Sequence, residues 1–132
     1  MSMLTGSQMR YLHIIYTTQT EEGIRCVDIS RNLGVTMASV SRMVRLLADL
    51  GMTTLSSGKV TLTNQGSIEG KAIDEKLRRL KSFFSEYLKL SEHESTDSAY
   101  SFLCNFTDNC IDKLIEKDWT AAKQSGNMAT AT

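Results

Sequence analysis

Thr36, Ser39, Arg42 and Arg45 recur at three-residue intervals, so any helix through them carries two hydroxyls and two guanidinium groups along one flank. That donor set matches the edges of nucleic-acid bases. A guanidinium at Arg42 pairs bidentately with the O6 and N7 acceptors of guanine, Ser39 bonds to a base or a phosphate, and Ala38 or the Thr36 methyl packs against a thymine methyl. Arg45 is placed for a phosphate, and Lys59, farther along, for the neighbouring backbone or minor groove, where it adds affinity more than sequence preference. The same residues also suit an ordinary solvated helix face. The surrounding elements decide between the two.

Other chemistries find little support. The sequence holds no phosphate loop, no Ser, His and Asp set and no paired-acid constellation, so it does not read as an enzyme. Cys26, Cys104 and Cys110 are odd in number, widely spaced and without a CxxC pair, which argues for reduced thiols over a disulfide scaffold or a structural zinc site. His93 lies in the polar run SEHEST, read as a loop, where two glutamates beside it offer at most a weak metal site. The formal net charge is zero, but residues 1–62 carry six Lys or Arg against four acids and residues 63–132 carry nine against eleven. That permits phosphate binding without requiring it, because attraction depends on where cations cluster. No apolar run approaches the roughly 20 residues that span a bilayer, and the N-terminus lacks a secretory pattern, so a cytoplasmic location is expected.

The positioning elements follow from periodicity. Met9, Leu12, Ile15 and Tyr16 place a helix over Gln8–Gln19, and TEEGIR, residues 20–25, reads as a surface loop. In residues 26–52 a short helix with Val27, Ile29 and Leu33 stops at Gly34, and a second starts after Thr36, an N-cap, and stops at Gly51. Val40, Met43, Val44, Leu47 and Leu50 form its buried stripe, opposite Ser39, Arg42, Arg45 and Asp49. This is a helix-turn-helix pattern. MTTL and KVTL, joined by Ser56–Gly58, predict a hairpin, and a hairpin in that place is a wing. Thr63 then caps a long helix to about Leu88, with Ile68, Ala72, Leu77, Leu80 and Phe84 apolar and Lys76, Arg78, Arg79 and Lys81 as a solvated basic face. Two shorter helices are placed at Ala99–Phe106 and Asp108–Asp118, with Thr107 as the second cap, Trp119 as a packing anchor and a frayed tail. The fold class is mainly α: a winged helix-turn-helix over 1–62, a helical dimerisation domain over 63–120 and a flexible tail over 121–132.

The run from YLHIIY through VDISRNLGVTMASVSRMVRLLADLGM, the wing, LTNQG, and then KLRRLKSFFSEYLKL and DSAYSFLCNFTDNCIDKL resembles the metal-dependent repressors of the diphtheria toxin repressor and manganese transport regulator family. The resemblance implies a homodimeric repressor on a palindromic double-stranded operator. It also implies a Mn²⁺ or Fe²⁺ effector held between the first helix and the dimerisation helices. The corresponding ligand positions fall here on Arg10 and His13, on Leu77 and Lys81, and on Tyr100, Leu103 and Cys104, so most ligands are absent and no cofactor is expected at that site. His13 and Cys104 remain as ligand-capable residues, with Cys104 expected to be a small buried core residue and His13 half exposed. Two further readings stay open. One is a thiol- or soft-metal-responsive regulator working through Cys104 with Cys110 or His13; the other is a winged helix that docks on a protein.

Overall fold

The computed structural model describes residues 4–116, except the side chain of Asp108; Trp119 and the tail lie outside the described residues. The described residues divide into two compact units, one over 4–73 and one over 74–116.

In the first unit, α1 (Gly6–Thr18) opens with a capping box: the Gln8 amide donates to the Thr5 hydroxyl, and the Thr5 amide donates to the Gln8 side chain. Met9, Tyr11, Leu12 and Ile15 are buried along it. The segment read as a loop contains a strand, β1 (Ile24–Arg25), paired antiparallel with β3 (Lys59–Leu62), which in turn pairs with β2 (Thr53–Ser56) in the order β1-β3-β2. Two residues are too few to show a period of two. Ile24 joins the core only because its backbone partner is Val60. The β2–β3 hairpin turns through Ser57 and Gly58, both at positive φ (52° and 77°), the two-residue turn whose twist suits a hairpin. Between these elements lie α2 (Cys26–Leu33) and α3 (Met37–Asp49). One cluster unites the unit: Tyr11, Ile15, Ile24, Ile29, Val40, Val44, Leu47 and Val60. The expected stripe on α3 holds at Val40, Val44 and Leu47, with Met43 partly buried, but Leu50 is exposed because the helix ends there.

The long helix α4 (Asn64–Ser82) starts in the first unit and ends in the second. Thr63 caps it, accepting from the Gly66 amide at 3.0 Å and donating to the Gly51 carbonyl at 2.6 Å. Its inward side is the expected one at Leu77 and Leu80 but not in its first half, where Ile68 and Ala72 are exposed and Gly66, Gly70 and Ile73 are buried. Phe84 continues that stripe in a π-helical turn over Phe83–Tyr87.

In the second unit α5 (Glu92–Asn105) starts seven residues earlier than expected, and α6 (Asp108–Ile115) follows. The run SEHEST is therefore no loop. The Ser91 hydroxyl accepts from the Glu94 amide, and Glu92 and Glu94 occupy the first turn, where negative charge favours a helix N-terminus. His93 sits on α5 with its Nε2 3.3 Å from an Asp97 carboxylate oxygen. Thr107 caps α6 by accepting from the Cys110 amide at 3.1 Å. Ala99, Leu103 and Ile111 are buried here, and Phe84 meets Phe102 edge-on at 5.9 Å. Among the described residues no helix is long and apolar enough to cross a membrane.

Candidate nucleic-acid interface

The angle between α2 and α3 is set in the short turn Gly34–Thr36. Gly34 takes the left-handed conformation (φ 67°, ψ 37°) that glycine adopts without steric cost, so its own amide and that of Val35 both donate to the Ser30 carbonyl, at 2.9 and 3.1 Å. Ser30 closes the turn from the other side, its hydroxyl donating to the Val35 carbonyl at 2.5 Å. Hydropathy gives no signal for Ser30, whose contribution is a local side-chain to backbone bond.

Thr36 is the N-cap of α3, accepting from the Ser39 amide at 3.1 Å, a bond worth about 1 kcal/mol to a helix. The same hydroxyl donates to the Ser39 hydroxyl at 3.0 Å, and an Arg42 Nη lies 3.5 Å from that oxygen. Thr36, Ser39 and Arg42 thus form one linked polar row. Arg45 is held separately, with an Nη 3.3 Å from the Ser41 hydroxyl. Thr36, Ala38, Arg42 and Arg45 are exposed and Ser39 is half-buried. Met37, absent from the residues picked by sequence, is also about half exposed at the head of α3. Lys59 stands immediately after the wing turn, half-buried, at the start of β3. Opposite this flank, the α3 stripe is anchored to β2, where the buried Thr53 hydroxyl donates to the Val44 carbonyl at 3.2 Å.

Three of the four cations in the basic run of α4 have ion-pair partners within their own unit. Lys76 lies 3.9 Å from Asp112, Arg78 3.2 Å from Asp74, and Lys81 2.5 Å from Glu92.

The ligand positions implied by the resemblance include four residues that cannot bind a divalent cation. Leu77 and Leu103 are buried apolar side chains, Arg10 and Lys81 are cations, and Lys81 is paired with Glu92. Among the described residues no group of three or more His, Cys, Asp or Glu is placed to hold a metal ion. His13 is half-buried on α1 of the first unit. Cys104, on α5 of the second, is exposed, contrary to its expected place in a core, because the buried stripe of α5 runs through Ser95, Ala99 and Leu103. Cys26 is the more enclosed thiol, and burial pushes its pKa upward, so less of it is thiolate near neutral pH. In the folded protein iodoacetamide at pH 7.5 is therefore expected to modify Cys104 and Cys110 well before Cys26. Mass spectrometry of timed samples checks this, and equal rates at all three would contradict the placement of Cys26.

Residues 3–57 match the iron dependent repressor, N-terminal DNA binding domain family. No curated protein matches the sequence significantly. Among solved structures, the chain is similar to a hypothetical protein from Sulfolobus solfataricus at 21% identity and a TM-score of 0.63, over 86% of this chain and 88% of that one. It is similar to a manganese-dependent transcriptional repressor in complex with manganese at 24% identity and a TM-score of 0.71, over 81% of this chain and 50% of that one. IdeR from T. acidophilum shares 25% identity with a TM-score of 0.69, over 88% of this chain and 55% of that one. The chain thus spans about half the length of these last two proteins.

Proposed function

We propose that the protein is a sequence-specific transcriptional regulator, a repressor acting as a homodimer on a palindromic duplex, a reading supported by the match of residues 3–57 to the iron dependent repressor, N-terminal DNA binding domain family. The observation that carries this is the linked row Thr36–Ser39–Arg42, with Thr36 and Arg42 exposed, at the head of a helix whose opposite side is locked into the core. A helix so held enters a major groove with its first turns against the base edges. In this reading Arg42 reads guanine, Ser39 a base or phosphate, and Ala38 and Thr36 a thymine methyl, with Arg45 and Lys59 on phosphates. The reading domain ends with the wing at 62, and residues 63–120 pair the protomers. The second unit leaves Tyr87, Leu88 and Phe106 exposed, an apolar supply for that pairing.

Regulation in this reading does not pass through the family's Mn²⁺ or Fe²⁺ site, because two cationic side chains stand at ligand positions there. A gel shift with DNA selected from a random duplex pool tests both halves of the proposal. The expected result is a dimer-sized shift, equal in chelator and in added Mn²⁺ or Fe²⁺, that weakens steeply with salt. A shift lost in chelator and restored by metal overturns the metal-independent half. No shift at low salt overturns DNA binding and favours a protein-docking winged helix.

A further inference from the structure

Beside the wing lies an open cleft of about 380 Å³ whose lining includes Thr20, Arg25, Asp28, Asn32 and Lys59. Its walls come from both parts of the winged helix: Asp28 and Asn32 belong to α2, and Lys59 to β3. Arg25 belongs to β1 and lies directly opposite Lys59 in the antiparallel ladder. Directly opposed residues project from the same sheet face with their Cβ atoms about 5 Å apart, so this arrangement sets a guanidinium beside an ammonium. Like charges so placed repel.

The fold supplies one carboxylate against them. Asp28 lies 3.5 Å from Arg25 and 3.9 Å from Arg31 on its own helix, whereas Lys59 has no ion-pair partner among the described residues. Two cations, Arg25 and Lys59, thus line the cleft with one acid, Asp28, which Arg31 also approaches from outside the lining. An anion with two or more acceptor oxygens is the ligand chemistry that resolves this repulsion, because it bonds to the guanidinium and the ammonium at once. Duplex DNA presents such oxygens at every backbone phosphate, and the cleft is bounded by α2 and the wing, the elements that flank the reading helix.

We propose that Arg25 and Lys59 jointly grip a single backbone phosphate of bound DNA at this cleft, with Asp28 competing for the same guanidinium. The inference rests on the DNA-binding reading above. It adds Arg25 as a positioning residue and makes Lys59 part of a pair in place of an independent contact.

The test measures affinity for labelled mixed-sequence duplex across a salt series, for the full chain and for Arg25→Gln, Arg25→Lys, Lys59→Gln, the Arg25→Gln/Lys59→Gln double variant and Asp28→Asn. Arg25→Gln is expected to weaken binding to all duplexes by roughly tenfold, and Asp28→Asn to tighten it. The decisive quantity is the slope of log affinity against log salt. The double variant should lose about 0.9 per protomer, the worth of one phosphate, with Arg25→Lys retaining most of the parent slope. Twice that loss means two separate phosphates and overturns the shared grip, and an unchanged slope removes the site from the DNA contact altogether. Inorganic phosphate is the second probe, against chloride at equal ionic strength. If it raises the melting temperature of the parent and not of Arg25→Gln while the salt slopes stay equal, the cleft holds a free small anion and the proposal fails. Failure of the parent protein to bind any duplex defeats the earlier reading instead, so the two failures are distinguishable.

Discussion

Gly66→Ala is expected to destabilise the first unit by about 3 kcal/mol or more, read as a fall in the urea midpoint at unchanged slope. On helix propensity alone the sign should be the reverse, since alanine in a helix interior gains about 1 kcal/mol over glycine. Packing decides the outcome. A Cβ on Gly66 would stand 1.9 Å from the Met52 carbonyl oxygen and 2.9 Å from its carbon. Both are backbone atoms that cannot rotate away, because the Met52 amide donates to the Leu47 carbonyl at 2.9 Å and its carbonyl accepts from the Thr63 amide at 3.0 Å. Moving Met52 therefore disturbs the exit of α3, the base of the wing and the cap of α4 together. Gly70→Ala is a graded comparison. Its Cβ would meet the Tyr16 side chain at 2.8–2.9 Å, and a half-buried ring has more room to shift than a hydrogen-bonded carbonyl, so its loss should be smaller. A Gly66→Ala protein as stable as its parent would show that α4 does not press on Met52.

Those two glycines also mark where the sequence misleads. Hydropathy places Ile68, Ala72, Leu77, Leu80 and Phe84 on the inward side of this helix, yet Ile68 and Ala72 are exposed, and the buried stripe is Gly66, Gly70, Ile73, Leu77, Leu80 and Phe84. Its spacing of four, three, four, three and four is that of a helix face. Its start is illegible because its first two members carry no side chain; close approach of the Met52 backbone at Gly66 and of the Tyr16 side chain at Gly70, not apolar area, selects them. β1 was missed because two residues cannot show alternation, and the head of α5 because three acids and a histidine look like solvent-facing loop until Ser91 is recognised as a cap. What could be read depended on long-period apolar patterning backed by cap chemistry. The stripe of Val40, Val44 and Leu47, the Thr36 cap and the left-handed Gly34 are all where that patterning places them. The candidate reading row was legible for the same reason, since a fixed buried side determines the opposite flank. The cleft beside the wing was not. It depends on the pairing of Arg25 with Lys59 across a strand that periodicity never revealed.

Arg42→Ala is expected to have the largest effect on DNA recognition. A lost bidentate guanine contact costs about 1–3 kcal/mol of discrimination at one half-site. A two-fold assembly presents the residue twice, so a palindromic site loses roughly twice that if the half-sites act independently. The geometry gives the effect its direction. Arg42 is exposed, and its guanidinium is oriented by the Ser39 hydroxyl at 3.5 Å, which is itself oriented by Thr36. Removing the side chain leaves the buried stripe of α3 untouched, so melting behaviour should hardly change. Competition between the selected site and a scrambled duplex isolates the relevant quantity. Binding to the selected site should fall by at least tenfold while binding to the scrambled one falls far less, because only base-edge contacts distinguish the two. Arg42→Lys should restore part of the general affinity and little of the discrimination, since an ammonium cannot reproduce the two-pronged geometry of the guanidinium. Equal losses on both duplexes would place Arg42 on a phosphate, and no loss on either would make this flank of α3 a solvated surface.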